Sequence, residues 1–360
     1  MAGTGPLNVA IVGCGNISAA YSRTMAEHPD RIRLTGAFDL RRETAAALVE
    51  KYGGKVYDTL DDVLTDPEVE LVVNLTIHQA HNEVISKCLH AGKHVHTEKP
   101  LTLDVNQAME LVKLAHAKKL RLSSAPITFL GEGQQTAWKL IRDGVLGEVR
   151  VIYAEMNWGR IESWHPNPSP FYEVGALADV GVYPLTLLTT IFGPVERVTG
   201  FGKVVKPVRD LKDGGTFEIK STPDWACAGL QFASGPICRL TGSFYVGPTL
   251  QHGIEFHGDA ASMALSTPHD FNGEIKICKF GEKEWTPQPL VKEPYAGVEW
   301  ARGVTELHDA IREDRPHRCT GEQAAHVVEV IFGAYRAATS GESVEIKSRF
   351  TQPAPMEWAV

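Results

Sequence analysis

The run Leu7-Asn8-Val9-Ala10-Ile11-Val12 leads directly into Gly13-Cys14-Gly15 and then into a helix-forming stretch. No other feature constrains the fold as strongly. A short, mostly apolar strand of this kind suits burial on both faces, the usual state of strands in a parallel sheet. A glycine pair at the strand's end permits a tight turn and lets the backbone of the following helix start approach a pyrophosphate. The junction therefore predicts an α/β fold that opens with a Rossmann dinucleotide-binding domain.

The alternation continues for about a third of the chain. Strands are expected at 31–38, 55–57, 71–75, 94–97 and 120–123, and helices at 17–27, 42–52, 60–64, 80–91 and 105–118. Strands alternating with helices imply a parallel sheet covered on both sides. After Ser124 the rhythm changes. A helix at 133–143 and a long strand at 147–157 precede a Pro-rich segment, Trp164 to Pro170, and an apolar helix ending near Phe192. From Val195 to about Ile277 the turns Asp213-Gly214-Gly215, Ser234-Gly235-Pro236 and Gly258-Asp259 punctuate strand-like runs, which is antiparallel chemistry. Helices at 301–313 and 321–340 follow. The expected division is a Rossmann domain over 1–124 and, over 125–360, a C-terminal α+β domain with a large, mostly antiparallel open sheet.

A chain of 360 residues is long for one core, in keeping with two domains. A net charge of −8, with no long run of one sign, argues against nucleic-acid binding and against an anionic membrane surface. The six cysteines lack CxxC spacing and read as reduced thiols. Met1 to Leu7 is too short and polar for a signal peptide, and no apolar run approaches the ~18 residues of a spanning helix, so a cytoplasmic protein is expected.

The candidate site residues follow from this frame. Gly13, Gly15, Asn16 and Ile17 form the turn and helix start, with Ser18 in place of a third glycine. Asp39 lies 24 positions beyond Gly15, at the end of the second strand. An acid there accepts the adenosine ribose hydroxyls and repels a 2′-phosphate, which favours NAD. Arg41 and Arg42 follow at once and leave NADP open, since an arginine can grip that phosphate. Thr76, His78 and His81 lie past the strand at 71–75, on the rim where a dinucleotide would run, although His81 is also placed to cap its helix. Glu98-Lys99-Pro100 ends the next strand, and there Lys99 is positioned to reach a nicotinamide. His94 and His96 alternate on that strand, but with no carboxylate or cysteine partner no metal site is expected. Asp179 and Tyr183 sit four apart in an apolar helix and would share a face. They read either as a buried structural pair or as a phenol that moves a substrate proton beside an orienting carboxylate. Asn157 and the ring-rich segment with Trp164, His165 and Tyr172 suit the apolar faces and hydroxyls of a sugar. A Pro-stiffened loop packed in the core is the alternative.

Together these motifs resemble the glucose–fructose oxidoreductase, inositol dehydrogenase and rhizopine-catabolism family, Gfo/Idh/MocA. The carriers are the Gly13/Gly15 turn, the run Ala91-Gly92-Lys93-His94-Val95-His96-Thr97-Glu98-Lys99-Pro100 and the cluster Asp179-Val180-Gly181-Val182-Tyr183. Gly253 to Gly258 and Thr320 to His326 add weaker support. The resemblance implies an NAD(P)-dependent oxidoreductase acting on a carbinol carbon of a sugar, glycoside or polyol. It implies Lys99 as catalytic lysine, Asp179 as the motif aspartate, and Tyr183 where inositol-type members carry histidine, as in sugar- and dihydrodiol-oxidising branches. It also implies a homodimer or homotetramer formed through the C-terminal sheet. Two other activities occur among relatives of this kind: glycoside cleavage by transient oxidation with bound NAD, and dinucleotide sensing without catalysis.

Overall fold

The computed structural model describes residues 5–360. Its first sheet is built from β1 (Leu7–Val12), β2 (Ile32–Phe38), β3 (Lys55–Val56), β4 (Leu71–Asn74), β5 (His94–Thr97) and β6 (Leu122–Ser124). The strands are all parallel, in the order β3-β2-β1-β4-β5-β6. Between them run α1 (Asn16–Met25), α2 (Arg42–Tyr52), α3 (Leu60–Thr65), α4 (His81–His90) and α5 (Val105–Lys118). Local chemistry marks the helix ends. Thr59 and Asp62 form a capping box on α3, Asp104 caps α5 by accepting from the Gln107 N–H, and Gly53 ends α2 at φ 85°. In this order the strand sequence reverses between β1 and β4, and ligands of such sheets bind outside the carboxyl ends at that point.

The second sheet has nine strands and follows α6 (Glu132–Arg142). Its strands are β7 (Val149–Asn157), β8 (Val195–Lys203), β11 (Trp225–Phe232), β12 (Ile237–Ser243), β13 (Gly253–Gly258), β14 (Ala261–Leu265), β15 (Ile275–Lys279), β16 (Thr286–Gln288) and β17 (Val344–Glu345). Only β7 and β12 pair in parallel. A separate hairpin pairs β9 (Val208–Asp210) with β10 (Thr216–Glu218). Buried residues alternate with more accessible ones along β11, β14 and the first half of β12, so one face is covered and the other open. On the covered side lie α7 (Ser169–Val174), a π-helical turn at Leu177–Gly181 and the wholly buried α8 (Val182–Phe192). Between β16 and β17 run α9 (Arg302–Arg312) and α10 (Gly321–Ser340).

The compact units are not contiguous in sequence. One comprises 1–127 with 299–325, the other 128–298 with 326–360. A single cut at 124/125 therefore misses the return of the chain to the first unit. The cause is packing: Trp300, Ala301, Val304 and Leu307 complete the same core as Leu7, Val9, Ile11 and Tyr21. The ring-rich segment also differs from a plain loop, because residues 169–174 are helical with Pro170 in the first turn, where its missing N–H costs nothing.

Candidate functional site

The candidate residues fall into two groups, one in each unit. In the first, Gly13 adopts φ +92°, and a Cβ there would lie 2.7 Å from the Leu75 backbone and the Thr76 N. The turn can therefore press against the end of β4 only as glycine. Gly15 and Asn16 are exposed at the start of α1, where a Cβ on Gly15 would meet nothing within 4 Å. The helix start carries no side-chain cap and no acidic residue in its first turn. Its N–H groups thus suit an anionic group, and the open backbone leaves room for it. Buried Ser18 donates to the Gly15 carbonyl at 2.6 Å, replacing the third glycine without crowding, and Ile17 is half-buried against the core.

Asp39 is fixed to this turn. Its Oδ2 accepts from the Cys14 N–H at 2.7 Å and its Oδ1 from the Arg41 N–H at 2.8 Å. Burial, reinforced by the Asp39 charge, pushes the Cys14 thiol up to about 12, so it stays protonated and inert. Arg41 is exposed, whereas Arg42 is engaged with Asp58 at 2.7 Å.

Behind Lys99 lies a buried polar chain. The Tyr21 hydroxyl donates to Glu98 Oε1 at 2.7 Å, and Glu98 Oε2 accepts the Lys99 N–H at 3.2 Å. His96 lies 3.4 Å from the Tyr21 oxygen through Nε2 and 2.8 Å from Ser123 Oγ through Nδ1. Burial drives the His96 ring down to about 3, so it is neutral. Because the tyrosine proton is given to Glu98, the chain runs Ser123 to His96 to Tyr21 to Glu98, each group donating to the next. Glu98 is thus buried with both oxygens engaged, behind a half-buried Lys99.

The reading of His81 as a cofactor contact or helix cap is corrected. The ring is fully buried, with Nδ1 2.7 Å from the Pro100 carbonyl and Nε2 3.1 Å from the Thr76 carbonyl. It lies between the turn after Lys99 and the turn after β4, and burial lowers its pKa. Thr76 is half-buried and its hydroxyl donates to Asn74 Oδ1 at 2.7 Å, while His78 lies with its ring 5.9 Å from that of His81.

In the second unit Asp179 and Tyr183 are both buried, but no single regular helix carries them. Asp179 belongs to the π-helical turn and Tyr183 to the first turn of α8. Such turns are frequent at functional sites. The phenol oxygen of half-buried Tyr335 sits at this turn and accepts from the Leu177 N–H at 3.0 Å and the Ala178 N–H at 3.4 Å. Tyr335→Phe strands both donors. It is expected to destabilise the protein by about 1–3 kcal/mol, read as a lowered Tm, and to reduce turnover by displacing Asp179.

Tyr172 is corrected from substrate contact to core. It is 2% exposed and its hydroxyl donates to Glu162, which also receives Arg209 Nη1 at 2.8 Å. Arg209 is completely buried, bonds Asp224 as well, and lies over the Tyr172 and Tyr245 rings at 5.2 and 5.3 Å. Of the neighbouring rings, Trp164, His165 and Phe171 form an outward cluster, with the His165 and Phe171 centroids 4.9 Å apart. Asn157 is half-buried and donates to Glu155 and to the Gln251 carbonyl. One group was missed altogether: His269, whose ring lies 4.8 Å from Tyr183 and 5.3 Å from Trp158. An isolated His-Asp dipeptide in a loop carries no signal in sequence.

Among the described residues no group of three or more His, Cys, Asp or Glu is placed to hold a metal, and no helix is long and apolar enough to cross a membrane.

A doubly wound parallel sheet with an open glycine turn and an anchored acid, followed by a large antiparallel sheet, defines an NAD(P)-binding oxidoreductase class. The model of the oxidoreductase family with NAD-binding Rossmann fold matches residues 7–125, and the GFO/IDH/MocA C-terminal domain matches 134–264. The chain belongs to the Gfo/Idh/MocA family. It is 28% identical over 222 residues to dTDP-3,4-didehydro-2,6-dideoxy-alpha-D-glucose 3-reductase of Actinomadura kijaniata, covering 59% of this chain and 64% of that one. It is 29% identical over 204 residues to trans-1,2-dihydrobenzene-1,2-diol dehydrogenase of Macaca fuscata fuscata, covering 55% and 60%. The chain spans about three fifths of the length of the curated relatives it matches. In fold it is similar to the WlbA dehydrogenase of Bordetella pertussis, solved with NADH and UDP-GlcNAcA, at TM-score 0.78 and 19% identity over 95% of this chain and 98% of that one.

Proposed function

We propose that this protein is an NAD(P)-dependent dehydrogenase or reductase acting on a carbinol carbon of a sugar, glycoside or related polyol. The observation that carries the reading is the coexistence, in a member of this family, of an anchored dinucleotide turn with Lys99 directly after β5. When bound, the nicotinamide accepts or returns the hydride. Tyr183 is assigned the hydroxyl proton, Lys99 the positive charge that favours its removal, and Asp179 the orientation of a substrate hydroxyl. Trp164, His165 and Asn157 are assigned to the sugar. Names of the relatives, a sugar-nucleotide reductase and a dihydrodiol dehydrogenase, support the substrate class. The test is an absorbance screen for NADH and NADPH formation over aldoses, glycosides, inositols and dihydrodiols. No turnover on any of them overturns the reading, and aglycone release without NADH points to the redox-assisted glycosidase.

NAD is the preferred cofactor on this reading, because the Asp39 carboxylate is held at the turn with a negative charge facing any 2′-phosphate. Asp39→Ser removes charge-assisted bonds to ribose hydroxyls, at about 1.5–3 kcal/mol. NAD is therefore expected to bind about 10- to 100-fold more weakly, with NADP unchanged or improved, as measured by nucleotide titration. Assembly is proposed to use the open sheet face, where Tyr153, Phe201 and Ile237 are exposed. Light scattering on Ile237→Glu, expected to dissociate the oligomer, checks it.

A further inference from the structure

We propose that Arg209 is a positioning residue for the sugar: its guanidinium closes the base of the loop that presents Trp164 and His165, and so sets how those rings meet the substrate. The inference rests on the proposed function, which assigns both rings to the sugar, and adds to it the group that holds them. The loop runs from Glu162, in the short turn Ile161–Ser163, to Tyr172 in α7. Those two side chains are tied to each other, the Tyr172 hydroxyl donating to Glu162 Oε2, and Arg209 Nη1 donates to Glu162 Oε1 at 2.8 Å. The guanidinium also lies 5.2 Å from the centre of the Tyr172 ring. Both ends of the loop are therefore fixed to one group. Between them Trp164 is 50% exposed, its ring 5.5 Å from that of His165 and 6.4 Å from that of Phe171.

A second excursion of the chain delivers the arginine. Residues 204–224, between β8 and β11, carry the β9–β10 hairpin, and in β9 only Arg209 is buried. Arg209 pairs across the hairpin with Phe217, whose ring lies 5.2 Å from that of Tyr172, so the two arrive on Tyr172 together. The same guanidinium closes the base of this excursion. Arg209 Nη2 donates to Asp224 Oδ2, while Asp224 Oδ1 accepts the Val205 N–H at 2.7 Å. Arg209 Nε donates to the Lys206 carbonyl at 2.9 Å. The Asp224 carbonyl in turn accepts the Phe244 N–H at 2.7 Å, just past β12.

Stability alone does not account for this arrangement. Arg209, Asp224, Glu162 and Tyr172 are all buried, and the arginine is paired with both carboxylates. Desolvating one cation and two carboxylates offsets most of their attraction, and apolar packing of the same volume holds a fold as well or better. What a planar fork adds is direction. It meets two carboxylates along fixed lines and offers flat faces to Tyr172 and Tyr245, whereas an ammonium is a point charge on a flexible stem. Direction matters where side chains must already stand in place for a ligand, and the rings above this base are the ones assigned to the sugar. Binding then has little left to order.

The experiment reads the loop and the sugar separately. Arg209→Lys keeps the charge and removes the fork. A second variant combines Glu162→Gln, Arg209→Met and Asp224→Asn, which removes the buried charges together and leaves oxygens for the Tyr172 hydroxyl and the Val205 N–H. Protein carrying ring-fluorinated tryptophan is followed by fluorine NMR, the Trp164 and Trp138 signals being assigned by their loss in Trp164→Phe and Trp138→Phe. In both variants the Trp164 signal is expected to move towards that of the free amino acid, while Trp138, buried in α6, keeps its position. KM for the sugar that gives NADH in the screen should rise about 5- to 50-fold, the cost of ordering two side chains on binding. Turnover at saturation should change less than about 3-fold. A Trp164 signal that stays in place, a Trp138 signal that moves with it, or an unchanged KM overturns the inference. Should the combined variant fail to fold, Arg209→Lys decides by the same readings. Movement of Trp164 alone in a protein that forms NADH from no sugar overturns the proposed function, and with it the sugar as the loop's occupant, while the clamp stands.

Discussion

Tyr183→Phe is expected to lower turnover by about 10²- to 10⁴-fold, the usual contribution of a positioned proton-transfer group, with dinucleotide affinity unchanged. The substitution removes one oxygen from a residue that is only 6% exposed and keeps the ring against His269, so packing in the first turn of α8 survives. A phenol ordinarily titrates near ~10 and is a poor base unless positive charge favours its anion. Lys99→Ala removes the ammonium assigned that favouring role and should cost turnover on the same scale. The backbone N–H that Lys99 donates to Glu98 is kept in this variant. Steady-state rates with a substrate found by the screen, beside nucleotide titration and Tm, separate the cases. Two variants with wild-type turnover would falsify the assignment. A loss of nucleotide binding in Tyr183→Phe would show that it acts through folding.

How much of this was legible beforehand depended on whether the signal was local. The β1–Gly13–Gly15–α1 junction, the βα alternation and Asp39 were readable because strands buried on both faces, helix stops and turn glycines leave marks within a few residues. Lys99 was readable for the same reason, as the residue past a buried strand. What failed were inferences about what a side chain faces. His81 and Tyr172 looked like site residues by position, yet each is buried against partners that sequence could not supply: the Pro100 carbonyl for one, Glu162 and Arg209 for the other. The Arg209 cluster joins residues 47 and 15 positions apart, and no periodicity announces it. The return of 299–325 to the first unit was invisible likewise, because α9 is an ordinary amphipathic helix until its place in the core that holds Leu7 and Ile11 is known. His269 was hidden because the bonds that hold its loop come from Gln134, 135 positions away.

Replacing either glycine of the turn should weaken dinucleotide binding by at least about 100-fold, but only one replacement should also damage the fold. A Cβ on Gly13 would sit 2.7 Å from the Leu75 carbonyl carbon and oxygen and from the Thr76 N. Those are backbone atoms at the end of β4, so no side chain can swing aside. The residue also holds φ +92°, a strained conformation for any L side chain, at about 1–3 kcal/mol before the clash is counted. Relief requires parting β1 from β4 where the Leu75 N–H donates to the Val12 carbonyl at 2.8 Å. Gly13→Val should therefore lower stability by at least about 3 kcal/mol and eliminate nucleotide binding. Gly15→Val differs physically: its Cβ enters empty space at an extended φ of −77°, so Tm should barely change. The space it fills is the one left for a phosphate against the α1 N–H groups, so affinity should still fall by two orders of magnitude or more, about 3 kcal/mol. Denaturant unfolding and nucleotide titration on the two variants read both terms. If Gly15→Val binds NAD normally, the open backbone is not a phosphate cradle. If Gly13→Val keeps wild-type stability, the turn does not need the close approach to β4 that gives this half of the site its shape.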